Sequence, residues 1–328
     1  MKKFVAILLT LMLVLGIGAA VADEAPATPT TDKEIVTIYK SYRNVNDNGI
    51  SPEETFTLEQ VGNGQVVDGE DKGNVAPHLG TITGATYADY GATTAGAKLG
   101  ITVELPSYDK VGVYEYTLQE VAGTTAGVAY YGQKIKLVVT VVNGKNNDLL
   151  CIAGVHTESS GNKSDTFENT YSAGTLKVSK TVDGNLGDKN KYFEFKVTLT
   201  GEAGKTYGDS YRVTGGSYTT NPEVVTIVAG EEKEYTFMLK HDETISIANL
   251  PYGVKYTVTE TVADGYTTSA TGDTGKINAA EQTAAFTNTK TGSIDTGVTT
   301  ENLPYVLLIG FVALAGAALL IKRKAHNN

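Results

Sequence analysis

Three short segments of this chain occur twice, in the same order. Ile38-Tyr39-Lys40 is echoed by Val178-Ser179-Lys180, Tyr116-Thr117-Leu118-Gln119-Glu120 by Tyr256-Thr257-Val258-Thr259-Glu260, and Thr166-Phe167-Glu168-Asn169-Thr170 by Ala285-Phe286-Thr287-Asn288-Thr289. Lys40 and Glu120 stand as far apart in the chain as Lys180 and Glu260. An ordered echo at fixed spacing is the mark of a tandem repeat. It predicts one domain over 34–171 and a second over 174–290, with only Ser172-Ala173-Gly174 between them and hence a semi-rigid pair.

Within each half, short alternating runs lie between turn signals such as Gly62-Asn63-Gly64, Asn143-Gly144, Asp183-Gly184-Asn185 and Gly215-Gly216. No stretch between 34 and 290 sustains a long apolar period of 3.6 residues, and the chain is rich in Gly (36) and Tyr (19) with no Trp. Pleated strands joined by tight turns follow, which makes the chain all-β and suggests sandwiches.

The ends read as addresses. Met1-Lys2-Lys3, the apolar run Phe4 to Ala19 and the small-x-small Ala20-Val21-Ala22 predict a signal peptide over 1–22. Polar, Pro-containing residues 23–33 predict a flexible arm. Val306 to Ile321 predicts a short transmembrane segment, followed by the basic tail 322–328 on the cytoplasmic side. A formal charge of −10 argues against a nucleic-acid partner, because phosphate contacts need clustered Lys and Arg. Cys151 is the only cysteine, so no internal disulfide is available, and its apolar context predicts a buried, inert thiol.

Strand parity exposes three anomalies in each half. Side chains alternate faces, so Val36, Ile38, Lys40 and Tyr42 share a face, as do Leu176, Val178, Lys180 and Val182. Each opening strand therefore aims a lysine at the core. The same counting aims Glu120 and Glu260 inward, with Asn169 and Asn288 on the faces of Phe167 and Phe286. A buried Lys–Glu ion pair with a neighbouring Asn is one reading. The other is chemical. Burial lowers an amine's pKa and raises a carboxyl's, so neutral amine and neutral acid coexist; the amine can attack the Asn carboxamide while the acid serves as proton shuttle. The product is an intramolecular Lys–Asn isopeptide bond, formed once, without cofactor, at the high effective molarity of a folded core.

The whole chain resembles a sortase-assembled backbone pilin of Gram-positive bacteria, with pilin isopeptide-linkage domains. Tyr256-Thr-Val-Thr-Glu260, continued by Asp264-Gly265-Tyr266, is similar to the E-box of such pilins; Tyr116-Thr-Leu-Gln-Glu120 is a shorter version without the downstream Gly-Tyr. The resemblance implies two immunoglobulin-like sandwiches, with Lys40 joined to Asn169 beside Glu120 and Lys180 joined to Asn288 beside Glu260. It also implies a sortase motif region over 291–297. Ile294-Asp295-Thr296-Gly297 ends in the required Thr-Gly but lacks the usual Leu-Pro, which favours a pilus-specific sortase cleaving after Thr296. An anchored ectodomain that is never cleaved is the alternative there. The common Tyr-Pro-Lys motif is missing, and by resemblance Lys163, in the turn Gly161-Asn162-Lys163-Ser164, is the polymerisation lysine; a solvated surface lysine is the alternative.

The four histidines are dispersed, and no metal-ligand spacing, phosphate loop or hydrolase elbow is present. No cofactor or metal is expected. The expected role is the structural shaft subunit of a covalent cell-surface pilus, with identical subunits, ancillary pilins and peptidoglycan as partners. A wall-anchored adhesin or accessory pilin that binds a host ligand is the alternative.

Overall fold

The computed structural model describes residues 32–47, 49–144, 148–156 and 163–294. The described residues form strands, turns and loops without a helix, in two sandwiches with separate apolar cores. In the first, one sheet runs Ile82–Thr83, Ala97–Glu104, Ile35–Asn44, Thr166–Tyr171, Val128–Ala129. The facing sheet runs Leu149–His156, Ile135–Asn143, Gly112–Glu120, Leu58–Gln60, with Gln65–Gly69 also on Gly112–Glu120. A small pair, Glu54–Phe56 with Ala85–Tyr87, closes one flank.

The second sandwich has Val224–Val225, Tyr211–Gly215, Glu243–Pro251, Ala173–Asp183, Glu281–Thr289 and Thr267–Thr271 in one sheet. Glu232–Leu239, Phe193–Thr200, Lys255–Glu260 and Thr274–Lys276 form the other. In both domains the opening strand lies beside the closing strand and parallel to it. Parallel neighbours cannot be joined by a hairpin, so the whole domain is the crossover between them.

Alternation explains the burial. Val36, Ile38, Lys40 and Tyr42 all point inward, as do Leu176, Val178, Lys180 and Val182. The second opening strand starts at Ala173, earlier than the sequence suggests, so Ser172 alone separates the two domains' strands. Gly174 is needed there, because a Cβ would meet the Ala279 carbonyl oxygen at 2.1 Å.

The joint between the domains is polar. Ser172 N–H donates to the Gly127 carbonyl and the Tyr252 N–H donates to the Ser172 carbonyl, both at 2.9 Å. Thr206 exchanges backbone bonds with Thr124 and Ala126, and Asn46 Nδ2 donates to the Ala173 carbonyl at 2.6 Å and to the Tyr252 hydroxyl at 3.0 Å. Asn249 accepts from Ile50 N–H at 2.8 Å and donates to its carbonyl at 2.9 Å. Its φ of 59° lies in the left-handed region, which Asn tolerates better than most side chains. Asn249→Gly keeps that backbone and removes both side-chain bonds. Spin labels placed one per domain should show a broadened distance distribution in this variant, while each domain's melting temperature stays close to that of the parent.

Candidate functional site

Parallel pairing sets the two reactive strands in register. Lys40 lies opposite Phe167 and Tyr42 opposite Asn169; Lys180 lies opposite Phe286 and Val182 opposite Asn288. In each domain the lysine and asparagine are thus diagonal neighbours, two residues apart along the ladder and on the same inward face. The glutamate comes from the facing sheet, where Glu120 ends Gly112–Glu120 and Glu260 ends Lys255–Glu260. The structure therefore brings all six of these residues together, three in each core.

In the first site Lys40 Nζ is 3.0 Å from Glu120 Oε1, and Asn169 Nδ2 donates to the same oxygen at 2.8 Å. The other carboxylate oxygen, Oε2, accepts the Tyr131 backbone N–H at 2.6 Å. Lys40, Asn169 and Glu120 are 0%, 1% and 2% exposed. In the second site Lys180 Nζ donates to both oxygens of Glu260, at 3.0 and 2.8 Å, and Asn288 Nδ2 donates to Oε1. The Lys180 and Glu260 side chains are 0% and 2% exposed.

Aromatic rings wall both lysines. Lys40 Nζ lies 3.9 Å from the Phe167 ring centroid and 4.8 Å from that of Phe56; Lys180 Nζ lies 4.3 Å from Phe193 and 5.7 Å from Phe195. Such contacts favour the ammonium form, yet burial dominates. It lowers the Lys40 amine from its ordinary value to about 8 against the opposing pull of Glu120, and it lowers Lys180 as well. The carboxamide oxygens of Asn169 and Asn288 are buried without a hydrogen-bond partner, and Lys40 Nζ makes no well-directed hydrogen bond despite its ion-pair distance. A buried group in that state is costly. Each site can move a proton from amine to carboxylate over about 3 Å, and it holds an amide nitrogen against the acid so formed.

The remaining sequence candidates lie elsewhere. Lys163 is exposed two residues before Asp165, whose carbonyl accepts the Tyr39 N–H at 2.6 Å. Ile294 is 72% exposed, whereas Asp295, Thr296 and Gly297 lie outside the described residues, as do the signal peptide, most of the arm, the transmembrane segment and the basic tail. Among the described residues no helix is long and apolar enough to cross a membrane, and no group of His, Cys, Asp and Glu is placed to hold a metal. Cys151 is buried, and burial pushes its thiol up to about 12. Sequence reasoning passed over Tyr131 and the phenylalanine walls. The signal for Phe167 and Phe193 was their inward parity; a backbone donor such as that of Tyr131 leaves no trace in residue type.

Comparison with known proteins converges on one group. Residues 36–172 match the family described as a Spy0128-like isopeptide containing domain, and residues 174–290 match one described as a domain of unknown function, DUF7601. A pilin of Streptococcus pyogenes serotype M1 is 29% identical over 94% of this chain and 97% of its own length. The pilus tip adhesin Cpa of Streptococcus pyogenes is 35% identical over 133 residues, which is 38% of this chain and 18% of the adhesin. The crystal structure of the major pilin from Streptococcus pyogenes matches with a TM-score of 0.52 at 24% identity, covering 80% of this chain and all of that one. A mutant form of that pilin gives 0.53 at 25% identity over the same shares. The chain is similar to a pilin over nearly its whole length and is built from two tandem immunoglobulin-like sandwiches.

The lowered Lys40 amine has a consequence for pH. In Asn169→Ala, where the amine has no carboxamide to attack, the folded-state value near 8 lies below the unfolded value near 10.5. Between them the unfolded chain binds more protons, so stability rises with pH across that window. The denaturation midpoint of the first domain in Asn169→Ala should therefore gain, from about pH 7 to about pH 9.5, relative to the double variant Asn169→Ala with Lys40→Met. Using the double variant as reference cancels the buried tyrosines, which titrate in both. A constant gap between the two variants would contradict the lowered amine.

Proposed function

We propose that this chain is the repeating shaft subunit of a covalently polymerised cell-surface pilus, with each domain locked by a self-formed Lys–Asn isopeptide bond: Lys40 to Asn169 and Lys180 to Asn288. The observation that carries this reading is the recurrence of one buried Lys–Glu–Asn arrangement in both cores, each time between the first and last strands of a domain. A structural ion pair needs no asparagine and no repetition of strand placement.

The chemistry balances within each triad. The ammonium passes one proton to the glutamate, and the free amine attacks the asparagine carboxamide carbon. As the new C–N bond forms, the glutamate delivers its proton to the departing amide nitrogen, which leaves as ammonia, and takes up the second proton that the amine nitrogen loses, so that it ends as a neutral acid. Nδ2 is the atom that already faces Glu120 Oε1 and Glu260 Oε1, so the leaving nitrogen starts against its acid. The buried ammonium, carboxylate and carboxamide become a neutral amide and a neutral carboxylic acid, with ammonia released, which removes the desolvation cost of the two charges.

Export by the 1–22 signal, transient anchoring by 306–321, cleavage by a pilus-specific sortase after Thr296 and transfer of that carboxyl to Lys163 of the next subunit complete the assembly scheme. Final attachment to peptidoglycan and the joining of ancillary pilins follow from the same chemistry. The exposure of Lys163 and of Ile294, at the edge of the Thr-Gly motif, suits attack by a bulky enzyme. The adhesin reading has weaker support, because the chain spans only 18% of the tip adhesin it matches but 97% of the pilin.

Each condensation releases ammonia and lowers the mass by about 17 Da. Intact mass of recombinant residues 23–296 should fall about 34 Da below the calculated value, and Glu260→Ala should return about 17 Da while keeping the fold. A parent chain at its calculated mass would leave both sites as ion pairs. In cells carrying the cognate sortase, Lys163→Ala should collapse the ladder of high-mass polymers to monomer; an intact ladder would place the acceptor amine elsewhere.

A further inference from the structure

The first domain lacks the Gly-Tyr that follows Glu260 in the second, yet its site contains an equivalent contact drawn from a different place. In the second domain Tyr266, six residues after Glu260, packs edge-on against Phe193 with ring centroids 5.3 Å apart, and Phe193 covers Lys180. In the first domain Tyr131, eleven residues after Glu120, packs on Phe167 at 5.2 Å, and Phe167 covers Lys40. The order tyrosine, phenylalanine, lysine is kept. The phenylalanines are not equivalent: Phe167 belongs to the closing strand, whereas Phe193 belongs to the facing sheet.

Tyr131 also does something Tyr266 does not. Its backbone N–H occupies Glu120 Oε2, which leaves Oε1 as the one oxygen facing both Lys40 and Asn169. In the second site no backbone N–H among the described residues donates to the Glu260 carboxylate, and Lys180 spans both of its oxygens. A proton leaving Lys180 can therefore settle on Oε2, away from Asn288, whereas a proton leaving Lys40 is directed to the oxygen that touches the asparagine.

We propose that Tyr131 is the positioning residue of the first cross-linking site, its ring fixing the Phe167 wall and its amide fixing the carboxylate of Glu120. This rests on the isopeptide reading above. Tyr131 acts through Phe167, which its ring contacts, and through Glu120, which its backbone N–H holds.

The test follows the two bonds separately in residues 23–296 made by cell-free synthesis. Aliquots are quenched in acid over time, and proteolytic fragments of each domain are weighed for the loss of about 17 Da. Tyr131→Phe keeps ring and amide, and should form the first bond at the parental rate. Tyr131→Ala keeps the amide and loses the ring that holds the Phe167 wall, while Tyr131→Pro loses the amide; each should slow the first bond by about tenfold or more, the scale expected when reacting groups are misplaced. The second bond serves as internal control and should keep its rate in all three. Tyr266→Ala should do the reverse, slowing the second bond alone. Parental rates for the first bond in both Tyr131→Ala and Tyr131→Pro overturn the proposal, as does equal slowing of both bonds, which marks a general folding defect. If Tyr131→Pro fails to fold, Tyr131→Ala against Tyr131→Phe still decides. A parental chain that loses no mass in either domain overturns the isopeptide reading itself, and so the two failures are distinct.

Discussion

A lysine ammonium held between two sheets, in contact with phenylalanine rings and one carboxylate, is the constraint on which the rest of this structure depends. Removing an unpaired ammonium from water is penalised by several kcal/mol, so Lys40 and Lys180 dictate what surrounds them. Each requires an acid from the facing sheet, which fixes where Gly112–Glu120 and Lys255–Glu260 end relative to the opening strands. Each also requires that the closing strand lie alongside and parallel, since only that neighbour brings Asn169 or Asn288 within reach of the same carboxylate. The fold is arranged so that the costliest group in each core is also the one that the proposed cross-link consumes.

Much of this was legible in the residues because strand parity is a rigid code. Once Val36, Ile38 and Tyr42 are assigned to the core, Lys40 has to follow them, and the repeat doubles the weight of the inference. Glu120, Asn169 and their counterparts fell to the same argument. What parity could not supply is which strands become neighbours, because pairing across more than a hundred residues is decided by the packing of two sheets. The parallel contact of first and last strands, the register that sets Lys40 opposite Phe167, and the reduction of the linker to Ser172 are of that kind. Tyr131 was hidden for a different reason. Its counterpart Tyr266 sits six residues from its glutamate and Tyr131 sits eleven, so a loop of different length delivers the same ring, and no fixed motif spans both.

The two sites hold the same three residue types on different scaffolds. The first is built into a larger sandwich and uses a backbone amide as a second hydrogen-bond donor to the carboxylate, beside Asn169. The second lets the lysine bridge both oxygens and relies on the Asp264-Gly265-Tyr266 turn, where the Tyr266 hydroxyl accepts the Asp188 N–H at 2.9 Å and so ties the opening loop to the site. What is kept in both is the part that the proposed reaction needs: amine, acid and carboxamide converging beside aromatic rings.

With the proposed cross-links in place, the adjacency of the terminal strands would decide how tension crosses the molecule. Opening and closing strands are parallel, so pulling the two ends of a domain apart slides one strand along the other and loads their ladder in shear. A bond from Lys40 to Asn169 takes that load before any ladder hydrogen bond is stretched, and residues 41–168 drop out of the path. Force leaves Asn169, runs along the nearly continuous extended segment through Ser172 to Lys180, and there enters the second bond to Asn288. The joint between the domains is thus crossed by main chain alone. The hydrogen bonds of Asn249 with Ile50 and of Thr206 with Thr124 lie beside this line, where they resist bending and contribute nothing to resisting extension. With that proposed covalent path, weak, exchangeable contacts suffice at the joint because extension is removed from what they must oppose.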